Sequence, residues 1–172
     1  MSKIIIGIDP GNKESAICMY GMNAIVLFNE IVPNEVFLQK IQKIHSEGVV
    51  LSDSVGIPIY LEDIQAMGMA VGQEVFDTAK MIGRIQLFLE QNSISYKMVK
   101  RTEIKLHHCG SSRAKDANIT LALVDRFDPS REFGKYGKGT AKNKGFFYGF
   151  KDDMWSAFAI ALYGHDKESG LR

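Results

Sequence analysis

Asp9 stands at the end of IIIGIDPG, residues 4–11, where an apolar, β-branched run meets a Pro-Gly turn. Two other places set an acid in an equally abrupt context. Glu62 and Asp63 end the short run PIYLED, and Asp152 and Asp153 precede the apolar segment MWSAFAIALYG. Acids so far apart in the chain can still meet, because open α/β sheets form their ligand sites at the carboxyl ends of neighbouring strands. Carboxylates crowded there repel one another and hold their protons. A divalent cation that prefers hard oxygen ligands reverses this. Two such ions ~4 Å apart can activate water and stabilise the leaving oxygen in phosphodiester hydrolysis. Taken singly, each acid has a plainer account. D-P-G is a turn signal, an acid at a strand end is commonly a solvated charge, and acids in a first helical turn favour the helix dipole. Only their combination points to chemistry.

The elements that must position these acids can be read from periodicity. Lys3 to Asp9 reads as a buried strand. Ser15 to Met19 and Ala24 to Phe28 read as two more, with Tyr20-Gly-Met-Asn23 as the turn of a meander. Asn34 to His45 is helical, capped by Asn34, with Val36, Leu38, Ile41 and Ile44 on one stripe. Pro58 to Glu62 is a short strand, Gly68 to Gly72 a loop, and Gln73 to Gln91 the longest helix. Ser95 to Val99 is a strand and Ala114 to Phe127 a helix. Asp153 to Tyr163 is a helix without a polar face over most of its length, so it is expected to be buried. Between the last two helices, REFGKYGKGTAKNKG (131–145) carries four glycines and five basic residues against one acid. It has no period, and a segment of that kind is functional or disordered. Three strands followed by alternating units imply an α/β fold with a mixed sheet and helices on both faces.

The 172 residues fit one compact domain, and 45% apolar content excludes a disordered chain. The net charge of +1 neither requires nor excludes nucleic acid, because local clustering decides that. No run approaches the ~18 apolar residues of a membrane span. Cys18 and Cys109, without a leader segment, suggest a reduced, cytoplasmic protein. His107, His108 and Cys109 are adjacent, but consecutive residues seldom converge on one metal and no second cluster completes a tetrahedron. They read as a strand end near a turn.

GIDPG, the acid in YLED and the alanine-rich helix AFAIALYG resemble the RuvC family of Holliday-junction resolvases. GMAVGQEVFDTAKMIGRI followed by KLHHCGSSRAKDANI is more narrowly similar to phage-type RuvC-like crossover junction endonucleases. The resemblance runs through residues 3–164. It implies an RNase H-like fold, a five-stranded mixed sheet flanked by helices. It also implies a dimeric, Mg²⁺-dependent enzyme (Mn²⁺ may substitute) with two ions per site, nicking two strands of a four-way DNA junction in the cytoplasm of a bacterium or a phage-infected host. By position, the catalytic and metal-binding residues are Asp9, Glu62 and Asp153. The family's second acid on the last helix falls on Ser156, a departure. Asp152 and Asp116 are the candidates to replace it. Asp152 precedes Asp153 by about 100° of helix, so both can serve only if the helix starts between them. Asp116 reads more readily as a helix-start acid.

A junction enzyme must neutralise phosphates. Lys135, Lys138, Lys142 and Lys144 of the glycine-rich loop, Arg113 and Lys115 before the following helix, and Lys97, Lys100, Arg101 and Lys105 are the candidates for DNA contact. Phe133, Tyr136, Phe146, Phe147 and Tyr148 interleave with the lysines as stacking platforms would; the plainer account of the loop is a solvated insertion. Met67 and Met69 could form an apolar wedge at the junction centre or fill the core. Phe76 and Phe88 face either a partner subunit or the sheet.

Three rivals share some of these residues. A sibling nuclease cutting hybrids or flaps would use the same acids. A nucleotide-binding protein of the actin and sugar-kinase group also opens with an Asp-Gly phosphate loop, but needs two lobes. A non-cutting junction-binding protein would explain Ser156.

Overall fold

The computed structural model describes residues 4–21, 23–49, 56–65 and 70–171. Met67 and Met69 lie outside them. In chain order the elements are β1 (Ile5–Asp9), β2 (Glu14–Gly21), β3 (Ile25–Pro33), α1 (Asn34–Val49), β4 (Ile59–Asp63), α2 (Gln73–Gln91), β5 (Tyr96–Lys100), α3 (Arg101–Cys109), α4 (Asp116–Phe127) and α5 (Met154–Glu168). The five strands form one mixed sheet in the order β3-β2-β1-β4-β5. β1, β2 and β3 are an antiparallel meander, whereas β4 runs parallel to β1, and β5 parallel to β4. This is the five-stranded α/β architecture expected from the sequence.

Period-two alternation along β1 divides the core. Ile6 and Ile8 join Ile59, Leu61 and the apolar stripes of α1 and α2 on one face. Ile5 joins Tyr60, Val99 and residues of α3, α4 and α5 on the other. Gly7 and Asp9 share the face of Ile5, and Glu62 that of Tyr60. Both acids therefore point to the side on which α5 packs.

Gly7 governs how close α5 comes. A methyl group at this position would lie 2.4 Å from both the Ala157 carbonyl oxygen and the Ala161 amide nitrogen, so helix backbone rests directly on strand backbone. Ala157 to Leu162 are wholly buried there, as the missing polar face implied. The helix extends further than its apolar run, to Glu168. Its last turns stay buried because Asp166 accepts hydrogen bonds from Arg126 and pairs with His107.

Two sequence expectations are corrected. Residues 101–109 form a helix, not a strand end near a turn. Only Ile104 of that helix is buried, and its inner face is completed by polar contacts of His107 with Asp166 and of His108 with the Ala159 carbonyl. A hydrophobic stripe cannot reveal such a helix. Phe146 and Phe147 are core residues rather than stacking platforms. Phe147 has no exposure and packs among Phe150, Trp155 and Phe158, while Phe146 stacks on Phe127 at 4.3 Å.

The glycine-rich segment is folded, without helix or extended strand. Buried Asp128 accepts from the amides of Glu132 and Phe133 at 3.0 and 3.1 Å. The amide of Gly139 donates to the Phe133 carbonyl, and that of Gly145 to Lys138. A methyl group on Gly145 would strike the Gly137 carbonyl oxygen at 2.3 Å, so the two limbs of the loop touch through backbone.

Candidate active site

Register places the first two acids. Ile8 pairs with Leu61 in the parallel β1–β4 ladder, so Asp9 and Glu62 each lie one residue beyond that pair, at the carboxyl ends of adjacent strands. The turn after Asp9 does not depend on its carboxylate. Buried Asn34 and Ser15 hold it: Asn34 Nδ2 donates to the Gly11 carbonyl at 2.9 Å, and Ser15 Oγ donates to Asn34 Oδ1 at 2.7 Å. β5 continues the sheet in parallel, with Lys100 opposite Asp63, and α3 begins at the next residue. Arg101 is thereby delivered to the same end of the sheet as Glu62. From the other side, α5 begins at Met154 with Asp153 as its N-cap, so Asp152 and Asp153 both precede the helix.

Asp9, Glu62, Arg101, Asp116, Asp152, Asp153 and Ser156 line one cleft of about 300 Å³. Asp116, the first residue of α4, reaches it from a fifth element. Asp152 takes a left-handed conformation, φ 39°, which aspartate tolerates better than most side chains.

The electrostatics are those of crowded acids with Arg101 among them. Burial, then the neighbouring Glu62 and Asp153, push the Asp9 carboxyl up to about 8, against the opposing pull of Arg101 and a hydrogen bond from Ser156. Burial also raises Glu62, with Arg101 opposing. The Arg101 guanidinium lies 3.1 Å from Glu62, 3.1 Å from Asp116 and 3.2 Å from the Ser156 hydroxyl. Lys105 adds a second cation 3.6 Å from Asp116. Ser156, where a fourth acid was expected, bridges Asp9 and Arg101. An acid there would pair directly with Arg101.

The donor set suits a hard divalent cation in type, since every acid in the cleft offers carboxylate oxygen. With its carboxyl raised to about 8, mainly by burial, Asp9 holds its proton at neutral pH unless a further cation offsets the burial. Among the described residues, however, no three His, Cys, Asp or Glu side chains form a group close enough to hold a metal. Arg101 supplies the counter-charge in this arrangement.

The other basic candidates differ in their surroundings. Lys135 and Lys138 line a second pocket beside it. Lys100, Arg113, Lys115, Lys142 and Lys144 are exposed, and the Lys144 ammonium lies 4.8 Å from the Tyr148 ring. Lys97 instead pairs with Glu168 at 2.6 Å. Sequence reasoning missed the part Arg101 plays among the acids. The signal available was its position immediately after β5, next to the strand carrying Glu62. It also missed Trp155, read as a core residue, which lines both the acid cleft and its neighbour.

No family model and no curated protein matches the sequence. Among solved structures, the chain is similar to the Thermus thermophilus RuvC structure, with a TM-score of 0.62 and 13% identity over 98% of this chain and 97% of that one. It is likewise similar to T. thermophilus RuvC in complex with Holliday junction substrate, with a TM-score of 0.60 and 12% identity over the same shares. The chain has the RuvC fold. At 12–13% identity the likeness is one of fold. No helix among the described residues is long and apolar enough to cross a membrane.

Proposed function

We propose that the chain is a metal-dependent, structure-selective DNA endonuclease that resolves four-way or branched junctions. The observation that carries this reading is the convergence of Asp9, Glu62 and Asp153 on one cleft of a RuvC fold. That the similar T. thermophilus protein is in complex with a Holliday junction substrate favours branched DNA over other nucleic acids. Asp9, Glu62 and Asp153 would hold Mg²⁺ or Mn²⁺, two ions per site, with Asp152 and Asp116 as further oxygen donors. When bound, the metal would polarise the scissile phosphate and lower the pKa of a water.

The chain's own residues do the rest. Asp9, fixed by a buried strand and the Ser15–Asn34 clamp, keeps its carboxylate at a constant place on the sheet end. Arg101 and Lys105 lie where they can meet phosphate oxygens once the acids are otherwise neutralised. The exposed Lys100, Arg113, Lys115, Lys142 and Lys144, with Lys135 and Lys138, add salt-dependent phosphate contacts. The whole domain then acts as one nuclease unit. Two copies acting together would cut both strands of a junction. The outer stripe of α2 would suit a second copy: Phe76 and Leu87 are 53% and 55% exposed, and a methyl group added at Gly83 between them would meet nothing within 4 Å.

Asp9→Asn tests this reading. It is expected to abolish nicking of a four-way junction while junction binding survives in a mobility-shift assay. Cutting at the wild-type rate by a clean preparation would reject the assignment. Parallel assays on a fork and an RNA–DNA hybrid separate a junction enzyme from a flap or hybrid nuclease. A second reading, a protein that holds junctions without cutting them, draws on Ser156 and its contact with Arg101. A Mg²⁺ and Mn²⁺ titration of the wild-type protein that yields no nicking at any concentration would favour it.

A further inference from the structure

Beside the acid cleft lies a second pocket of about 280 Å³, and the two share Ala117, Thr120 and Trp155 as a common wall. Whatever occupies one therefore abuts whatever occupies the other. The outer wall comes from the glycine-rich loop, through Lys135, Tyr136 and Lys138.

Its chemistry is that of a flat aromatic guest bearing negative charge nearby. The Trp155 indole is backed by Phe147, stacked at 4.8 Å and 28°, and meets the Phe150 ring edge-on at 5.2 Å. Tyr136 is 44% exposed. The Lys138 ammonium lies 5.9 Å from the Trp155 ring and that of Lys135 lies 5.2 Å from the Tyr136 ring. Rings paired with cations in one concavity are the recurring means of holding an unpaired base while neutralising its phosphate. Thr120 adds a hydroxyl, and Leu121 an apolar wall.

The pocket is built in advance of any ligand. The Asp128 clamp on the Glu132 and Phe133 amides, and the Gly139-to-Phe133 and Gly145-to-Lys138 bonds, fix the loop that carries its lysines. Little ordering is left for the guest to impose. A base within a duplex, stacked and paired, could not enter such a recess. One at a branch point or a frayed step could.

We propose that this pocket receives an unpaired nucleobase of the cleaved strand, adjoining the phosphate held in the acid cleft. The inference rests on the nuclease reading and sharpens it: the pocket makes cutting depend on the base beside the scissile bond.

Trp155 is the chain's only tryptophan, so its emission reports on the wall that this pocket shares with the acid cleft. Titrating the Asp9→Asn protein with a four-way junction is expected to quench that emission in step with binding measured by mobility shift. A junction abasic at the nucleotides flanking the cut is expected to bind without the quench, and the wild-type enzyme to cut it about tenfold more slowly. Abasic sites placed far out on the arms are expected to change neither. Tyr136→Ala and Lys138→Ala, both at exposed or half-exposed positions, are each expected to weaken the quench-linked affinity about tenfold. Junction binding with unchanged tryptophan emission, or unaltered cutting at every flanking abasic position, would overturn the pocket assignment while leaving the nuclease reading intact. Absence of junction binding altogether would remove both.

Discussion

Arg101 Nη1 lies 3.1 Å from Glu62 Oε2, and the two side chains are 23% and 14% exposed. The pair sets a cation among the acids of the cleft. Arg101→Ala leaves Glu62 and Asp9 without their counter-charge, and removing one partner of a largely buried pair costs about 3 kcal/mol. Metal-free protein is therefore expected to unfold at markedly lower urea in this variant. Mg²⁺ is expected to recover more of the loss in Arg101→Ala than it adds to the wild type. Equal Mg²⁺ responses in the two proteins would show that the guanidinium and the metal do not compete for these acids.

Divalent cations should stabilise the folded chain through Asp9. Millimolar Mg²⁺ or Mn²⁺ is expected to raise the wild-type Tm by several degrees, because a ligand that binds only the native state adds to its stability. Asp9→Asn is expected to lose most of that rise. Differential scanning calorimetry with chelator and with each ion reads the effect directly.

Close contact at Gly7 makes it intolerant of any side chain. Gly7→Ala drives a methyl into the Ala157 carbonyl and the Ala161 amide, both backbone atoms that cannot swing aside. The expected loss is about 3 kcal/mol, read by chemical denaturation. Any folded fraction is expected to lose nicking activity more than junction binding, because α5 carries Asp153 and Ser156 away from Asp9.

Acid should weaken the packing of α3 on the middle of α5. Burial lowers His108 to about 4, with the neighbouring His107 ring and Arg126 acting in the same direction and Asp166 against it. Its Nε2–H donates to the Ala159 carbonyl at 2.9 Å. The folded pKa lies below the unfolded one, so this contribution is complete above pH ~6.5 and is lost as pH falls toward 4. The loss is about 3 kcal/mol. His108→Gln is expected to flatten the stability profile across that window, measured by urea unfolding at half-unit pH steps.

If α2 forms the contact between two copies, paired charges on its outer stripe should separate them. Phe76→Asp with Leu87→Glu is expected to give a monomer by sedimentation equilibrium and to uncouple the two nicks on a junction. Neither side chain belongs to the buried core, so thermal stability of the single chain is expected to change little.

Most of the architecture was legible because it follows from period and punctuation. The acids at the ends of β1 and β4 stood out because each interrupts an apolar run, and α2 because its stripe is long and its boundaries are unambiguous. What escaped depends on contacts across the chain. Residues 101–109 bury one aliphatic side chain and otherwise dock through histidines, so no hydrophobic stripe announces the helix. The place of Arg101 among the acids follows from the parallel register of β4 and β5, which only the assembled sheet reveals. Aromatic residues near lysines looked alike in sequence, yet Phe147 went to the interior and Tyr136 stayed outside. Trp155 adjoins both a core cluster and the cleft, and an apolar helix pattern could not separate those two surroundings.

The bare contact of α5 with β1 also bears on how such a domain can diverge. Peptide groups, not side chains, set the gap between Asp9 and the residues that open the last helix. Drift in the surrounding apolar composition can then proceed without altering the spacing of the acidic constellation, which is a physical route to a shared architecture at 13% identity.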